Sequence, residues 1–319
     1  MPKYIIIGGA GFIGSNLISR LLRQTDVSIT IVDDLSLGRL DTIDSFLARP
    51  DVQFIKADAG DTAGLVRLFR ERGPFDTVFH MAANSDIQKS AADPRIEFRN
   101  TFMTTFSVLE AMRANGTDKL VFCSTSAIYG DKGGAKVAEA SGPYLPISYY
   151  GGAKLACEGF ISAYAHMNDL TASILRFPNV VGDNATHGVI YDFIKRLKDD
   201  PTKLKVLGDG KQRKPYLYVK DLIEAILLVS EKAKQGVGIY NIGVDTNTSV
   251  GRIAAIVIEE MGLSDVKLEY TGGKAGWKGD VPLFDYDFTK VAALGWQAHR
   301  SSDEAVRMAA RAILEQWKP

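Results

Sequence analysis

The sequence predicts an α/β protein built on a doubly wound parallel sheet, with a smaller α/β lobe toward its C-terminus. Two observations carry this. Short β-branched runs alternate with longer helical patterns through the first half, and a glycine-rich turn sits where the first strand meets the first helix. A third is the change of character past residue 180, where polar, loop-rich stretches interrupt the alternation. The 319 residues, 46% hydrophobic and 24% charged, can bury a core large enough for one big domain or two joined ones.

Strands are expected at residues 4–7, 28–32, 52–56, 77–80, 120–124 and 171–177, each a short apolar run. Segments 13–23, 95–114 and 149–166 carry apolar residues at helical spacing. Alternation of this kind implies right-handed crossovers and a parallel sheet. Later in the chain, 184–210 reads as polar and loop-rich, 221–231 as a helix and 238–242 as a short strand. Helices at 249–261 and 302–316 flank a loop at 271–280. We therefore place one domain over residues 1–180 and a second over 181–319, with segments of the second free to cross back.

Charge and cysteine usage exclude several classes. Lysine plus arginine equals aspartate plus glutamate, at 38 each, so the basic surplus of a nucleic-acid protein is missing. Cys123 and Cys157 form neither a CxxC motif nor a disulfide framework, which suits a reducing compartment and makes the cytoplasm the expected location. The four histidines lack metal-ligand spacing, so no metal site is expected. The apolar run at 4–7 is cut at once by glycines and lacks a cationic leader, so it does not read as a signal peptide. No stretch approaches the roughly 20 apolar residues of a membrane span.

Gly8-Gly9-Ala10-Gly11-Phe12-Ile13-Gly14 follows the first strand and opens the first helix. Glycines at 8, 11 and 14 allow a tight turn and close approach of a pyrophosphate to the helix N-terminus, the Rossmann dinucleotide arrangement. About 20 residues on, Asp33 and Asp34 end the second strand, where an acid bonds the adenosine ribose and repels a 2′-phosphate. NAD is therefore the expected cofactor. Arg39 is the one nearby cation that would soften that preference. Asp58, with Ala59 beside it, follows the third strand, placed to meet the adenine edge.

Tyr150-Gly151-Gly152-Ala153-Lys154 opens a helical stretch, and a spacing of four sets both side chains on one face. A phenol with a reference pKa of ~10 is a poor base at neutral pH. An ammonium one turn away and a nearby nicotinamide cation would favour its phenolate. A surface tyrosine–lysine pair shows the same spacing, so the pair gains meaning from the dinucleotide motif and from Ser124-Thr125-Ser126 at the end of another strand.

With GGAGFIG, VDDLSLG, FHMAANSD, CSTSAIYGD, YYGGAK, RFPNVVG and GDGKQRKPYLYVKD in this order, the chain resembles, over nearly its whole length, extended short-chain dehydrogenase/reductases of the NAD-dependent epimerase/dehydratase family. The resemblance implies that Tyr150 is the catalytic acid/base, that Lys154 binds the nicotinamide ribose, and that Thr125 contacts the sugar hydroxyl with Ser124 or Ser126 in support. It implies further that Ala82, Ala83 and Phe177 line the cofactor, that Asn100 is a structural asparagine, and that Asn179 meets the substrate diphosphate. Lys214, with Arg213 beside it, stands where the family has an arginine, and only Lys274 and Lys278 lie near the Gly279-Asp280 pair. Lysine keeps the charge but loses the bidentate fork. Phe284 falls where relatives gate the sugar pocket, and His187 lies in a loop near the substrate. Relatives commonly form homodimers through apolar faces like those of segments 95–114 and 149–166.

Relatives that dehydrate carry an Asp-Glu pair after the Ser/Thr, and decarboxylating ones keep a glutamate there. This chain has Ser126 and Ala127, neither of which can protonate a leaving hydroxyl. Epimerisation at C4 of a nucleotide sugar, most simply a UDP-sugar, is the expected reaction. The alternatives are a reductase, a 2- or 3,5-epimerase or an atypical dehydratase and, from another class, an NAD-binding redox sensor.

Overall fold

The computed structural model describes residues 1–273, 281 and 284–317. Its centre is a seven-stranded, all-parallel sheet of Lys3–Ile7 (β1), Ser28–Asp33 (β2), Val52–Lys56 (β3), Thr77–His80 (β4), Lys119–Thr125 (β5), Thr171–Phe177 (β6) and Gly236–Asn241 (β7). The strand order is β7-β6-β5-β4-β1-β2-β3. The chain therefore winds outward from β1 to β3, then returns to start the other half at β4. The reversal between β1 and β4 opens a crevice at the strands' carboxyl ends, where ligands of such sheets bind.

Strand alternation builds two cores. Ile6 and Ile31 face Leu17, Ile18 and Leu21 of helix α1 (Phe12–Leu21), and Leu222, Ile226 and Val229 of a later helix, Val219–Lys232, join them. Ile5 and Ile7 point the other way, toward Leu65 and Phe69 of α2 (Thr62–Arg72), Val108 and Met112 of α3 (Thr104–Asn115), and Cys157 and Ile161 of α4 (Tyr149–Asn168). A third cluster joins α5 (Val189–Asp199), α7 (Val250–Glu260) and α8 (Ser302–Gln316), the helix Val219–Lys232 between them in sequence being α6. Thus α6 and β7, though late in sequence, belong to the first sheet's layers.

Two expectations need correction. Segment 95–114 is not one helix: a turn at Arg95–Glu97 passes into a π-helical stretch, Phe98–Met103, before α3 begins. The Thr101 carbonyl there accepts from the Thr104 and Thr105 hydroxyls at 3.0 and 2.9 Å, and such π turns cluster at functional sites. Segment 184–210 is not chiefly loop, because it holds α5 and the strand Lys203–Val206. Ile190, Phe193, Ile194 and Leu197 form a regular buried helical stripe on α5.

Candidate active site

The glycine turn is shaped by what an added methyl would strike. Gly8 has φ +83, and a Cβ there would lie 2.6 Å from the Ala82 nitrogen. At Gly14 it would lie 2.4 Å from the Gly8 carbonyl oxygen. Strand β1, the turn and the loop after β4 therefore approach as only glycine permits. Gly11 is the N-cap of α1 and offers no capping side chain, so the first-turn amides, Phe12 and Ile13 among them, meet the crevice with a favourable dipole. This cradle fits a dinucleotide pyrophosphate.

Asp33 is buried, and its two oxygens accept the Ala10 and Leu35 amides at 3.0 and 2.9 Å. Burial raises its pKa, against the pull of those two amides. The carboxylate is thus fixed between the glycine turn and the following loop. Asp34 is exposed beside it and accepts the Ser36 amide. Arg39 is engaged by Asp41, which ties up the one cation that could have favoured a 2′-phosphate. Asp58 accepts the Gly60 amide at 2.7 Å, and Ala59 is buried next to it.

These residues line one side of a cleft of about 370 Å³, together with Ala82, Ala83 and Phe177. Its other side brings in Thr125, Ser126, Ala127, Tyr150, Lys154, Asn179, Lys214, His187 and Phe284. A neighbouring cavity of about 550 Å³ shares Asn179, His187 and Lys214 and runs on to Tyr191, Leu207 and Gln212. Arg213 is exposed and lines neither cavity. Lys274, Lys278 and the Gly279-Asp280 pair lie outside the described residues. Asn100 lines the cleft but is exposed, whereas the buried anchor of that segment is its neighbour Thr101.

The Ser148 hydroxyl caps α4 by accepting the Gly151 amide at 3.1 Å, which sets Tyr150 in the first turn and Lys154 one turn on. A Cβ at Gly151 would stand 2.7 Å from the Ala127 carbonyl oxygen. Its absence lets the helix start close over the loop after β5. There the Thr125 hydroxyl hydrogen-bonds the Tyr150 phenol. Lys154 is 1% exposed, donates to the Cys123 carbonyl at 2.7 Å and lies over the Phe122 ring.

Burial pushes the Tyr150 phenol well above its ordinary value, Glu97 adds to this, and the Thr125 hydrogen bond pulls the other way. Burial likewise lowers Lys154, opposed by Cys157, Cys123 and Glu97. The protein's own charges thus hold the phenol protonated, contrary to the expectation that the neighbouring lysine goes far toward ionising it. A further cation in the cleft is required to arm it as a base.

Beneath the cleft a buried ion pair ties three elements together. Arg176 on β6 meets Glu158 on α4 at 2.6 Å, both almost fully buried. Ser124 on β5 donates to the same carboxylate, and Tyr129 accepts from the guanidinium at 3.0 Å. Sequence reasoning passed over Glu97, Glu158 and Gln212, whose roles depend on packing rather than on a local motif.

Comparison with known proteins places these features. Residues 4–243 match the NAD dependent epimerase/dehydratase family. The chain is 33% identical over 303 residues to a probable UDP-arabinose 4-epimerase 3 of Arabidopsis thaliana, covering 87% of this chain and 72% of that one. It superposes on the UDP-glucose 4-epimerase of Thermus thermophilus, solved in complex with NAD, with a TM-score of 0.85, 30% identity and 98% and 99% coverage. For the UDP-glucuronic acid 4-epimerase of Bacillus cereus, solved with UDP-glucuronic acid and NAD, the values are 0.88, 26%, 99% and 100%.

Proposed function

The chain belongs to the NAD-dependent epimerase/dehydratase family, and on that premise we propose that it is a nucleotide-sugar 4-epimerase using NAD. The observation that carries this reading is the convergence of Thr125, Tyr150 and Lys154 in one cleft whose adjoining positions, Ser126 and Ala127, hold no acid. The 4-epimerase names of the relatives support it.

NAD, when bound, supplies a hydride acceptor that can return what it takes. The glycine turn with Phe12 and Ile13 holds its pyrophosphate, Asp33 and Asp34 its adenosine ribose, and Asp58 and Ala59 its adenine side. Ala82, Ala83 and Phe177 line it, and Lys154 bonds the nicotinamide ribose. Tyr150 takes the proton of the sugar's C4 hydroxyl, with Thr125 holding that oxygen in line. Once C4 is a ketone, elimination would need an acid to protonate the departing hydroxyl, and Ser126 and Ala127 supply none. The sugar turns, and Tyr150 gives its proton back on the inverted carbon.

Asn179 and Lys214 sit where the cleft joins the second cavity and would hold the diphosphate of a UDP-sugar, with the nucleoside beyond. Phe284 stacks on Tyr286 at 5.4 Å between centroids, a fixed wall that disfavours a bulky N-acetyl group. We read residues 1–180 as the cofactor half and 181–319 as the substrate half, with α6 and β7 crossing back. Phe98 and Phe160 are exposed and join Phe102 in a ring cluster outside α3 and α4, which supports a homodimer formed through that face. Incubation with UDP-arabinose, UDP-galactose, UDP-glucose and UDP-glucuronate, followed by NMR of the sugar, tests the reaction: a C4-inverted product is expected, and a 4-keto-6-deoxy product would overturn it.

A further inference from the structure

Beside the Tyr150–Lys154 couple lies a carboxylate that the proposed reaction does not use. Glu97 is 2% exposed and ends the turn Arg95–Glu97. Its oxygens accept from Asn84 Nδ2 at 2.8 Å and from Thr101 Oγ1 at 2.7 Å. Acceptance at both oxygens is what an ionised carboxylate does. Thr101 in turn accepts the Asn84 amide at 3.2 Å, and its carbonyl accepts the Cys157 thiol at 3.5 Å. Cys157 follows Lys154 by three residues on α4, so the network is clamped against the turn that carries the lysine. Asn84 itself lines the cleft.

The groups facing Tyr150 come from several elements: Glu97 from its own turn, Cys123 and Thr125 from β5, and Lys154 and Cys157 from α4. Lys154 also faces His80 on β4 and Glu158, which Arg176 already neutralises. Glu97 favours the protonated form of both the phenol and the ammonium.

We propose that Glu97 is a positioning residue for proton return: its charge holds the proton on Tyr150 whenever the cofactor carries no positive charge. The inference rests on Tyr150 being the acid/base. In the first half-reaction the C4 hydroxyl proton passes to Tyr150 as hydride leaves C4, and in the second both return to the same atoms. The nicotinamide is cationic only before hydride transfer. During the ketone stage Glu97 therefore opposes ionisation of Tyr150, so the phenol is ready to protonate the C4 oxygen before the keto sugar escapes.

The test is a titration of tyrosinate absorbance in the NAD-bound enzyme, with Tyr150→Phe protein as the baseline. In Glu97→Gln and Glu97→Met, two neutral variants of which either suffices if the other does not fold, the apparent pKa of Tyr150 is expected to fall by about one unit or more. Thr101→Val, which loosens the same network but keeps the charge, is expected to leave it in place. The fraction of sugar trapped as a ketone by borohydride during turnover should rise severalfold in the neutral variants alone. An unmoved titration in the neutral variants, or an equal shift in Thr101→Val, overturns the proposal. A Tyr150→Phe enzyme that still turns over instead overturns the functional reading, a separate outcome.

Discussion

Gly14→Ala distinguishes a cofactor cradle from a merely tight bend. Gly14 is buried on α1, where alanine is favoured over glycine by about 1 kcal/mol on helix propensity alone. The new Cβ would stand 2.4 Å from the Gly8 carbonyl oxygen, 2.6 Å from Gly9 Cα and 2.9 Å from the Gly9 carbonyl oxygen. All three atoms are backbone, so none can swing aside as a side chain would. Either α1 lifts off the end of β1 or the turn opens. Overpacking of this kind costs roughly 1–3 kcal/mol, which outweighs the gain in propensity and leaves a net loss of about 1–2 kcal/mol at the upper end. Opening the turn also draws the Phe12 and Ile13 amides away from a bound pyrophosphate. A loss of about 2 kcal/mol there weakens NAD binding roughly thirtyfold. Urea unfolding gives the first quantity and calorimetric titration with NAD the second. A variant at least as stable as the parent, with NAD affinity within about twofold, would refute the reasoning.

Other outcomes follow from the same contacts. Tyr150→Phe should lower turnover by about 10²–10⁴-fold while calorimetry finds NAD binding nearly unchanged; intact turnover would remove Tyr150 from the chemistry. Glu158→Gln strands the buried Arg176 charge and should cost about 3–5 kcal/mol in thermal or urea unfolding, whereas a cost below about 1 kcal/mol would mean the pair is solvated. His80 is fully buried and its pKa is driven down to about 3 by burial, with Lys154 adding to the effect. The unfolded chain therefore takes up a proton below about pH 6.5 that the folded chain refuses until about pH 3. Across that window stability should fall by about 1.4 kcal/mol per pH unit on this account alone, and a His80→Gln variant should lack that part of the slope; parallel curves would contradict it.

Much of this architecture was legible because its signals are local. The glycine turn and the Tyr150–Lys154 spacing each lie within one strand–turn–helix or one helical turn, and the strands at 52–56, 77–80 and 171–177 have the bounds their apolar runs imply. Ala127 was informative as a missing proton donor, which needs no packing to interpret. Helix α5 was missed although its buried stripe is regular, because polar Asn184 and His187 with Gly188 dominate its approach. The π-helical stretch Phe98–Met103 was invisible to a 3.6-residue pattern, since a wider turn shifts the register by one. That shift accounts for the buried anchor being Thr101 rather than Asn100. Glu97 carries no motif at all. Its importance arises only when α4 packs against the π turn and removes water from both.

Return of hydride to the carbon it left is the centre of this account, and a C4-deuterated UDP-sugar tests it most directly. Turned over in ordinary water and read by NMR, the product should be inverted at C4 with the deuterium still on that carbon and no net consumption of NAD. Loss of deuterium to solvent, or a product that keeps its C4 configuration and has lost water, would contradict it.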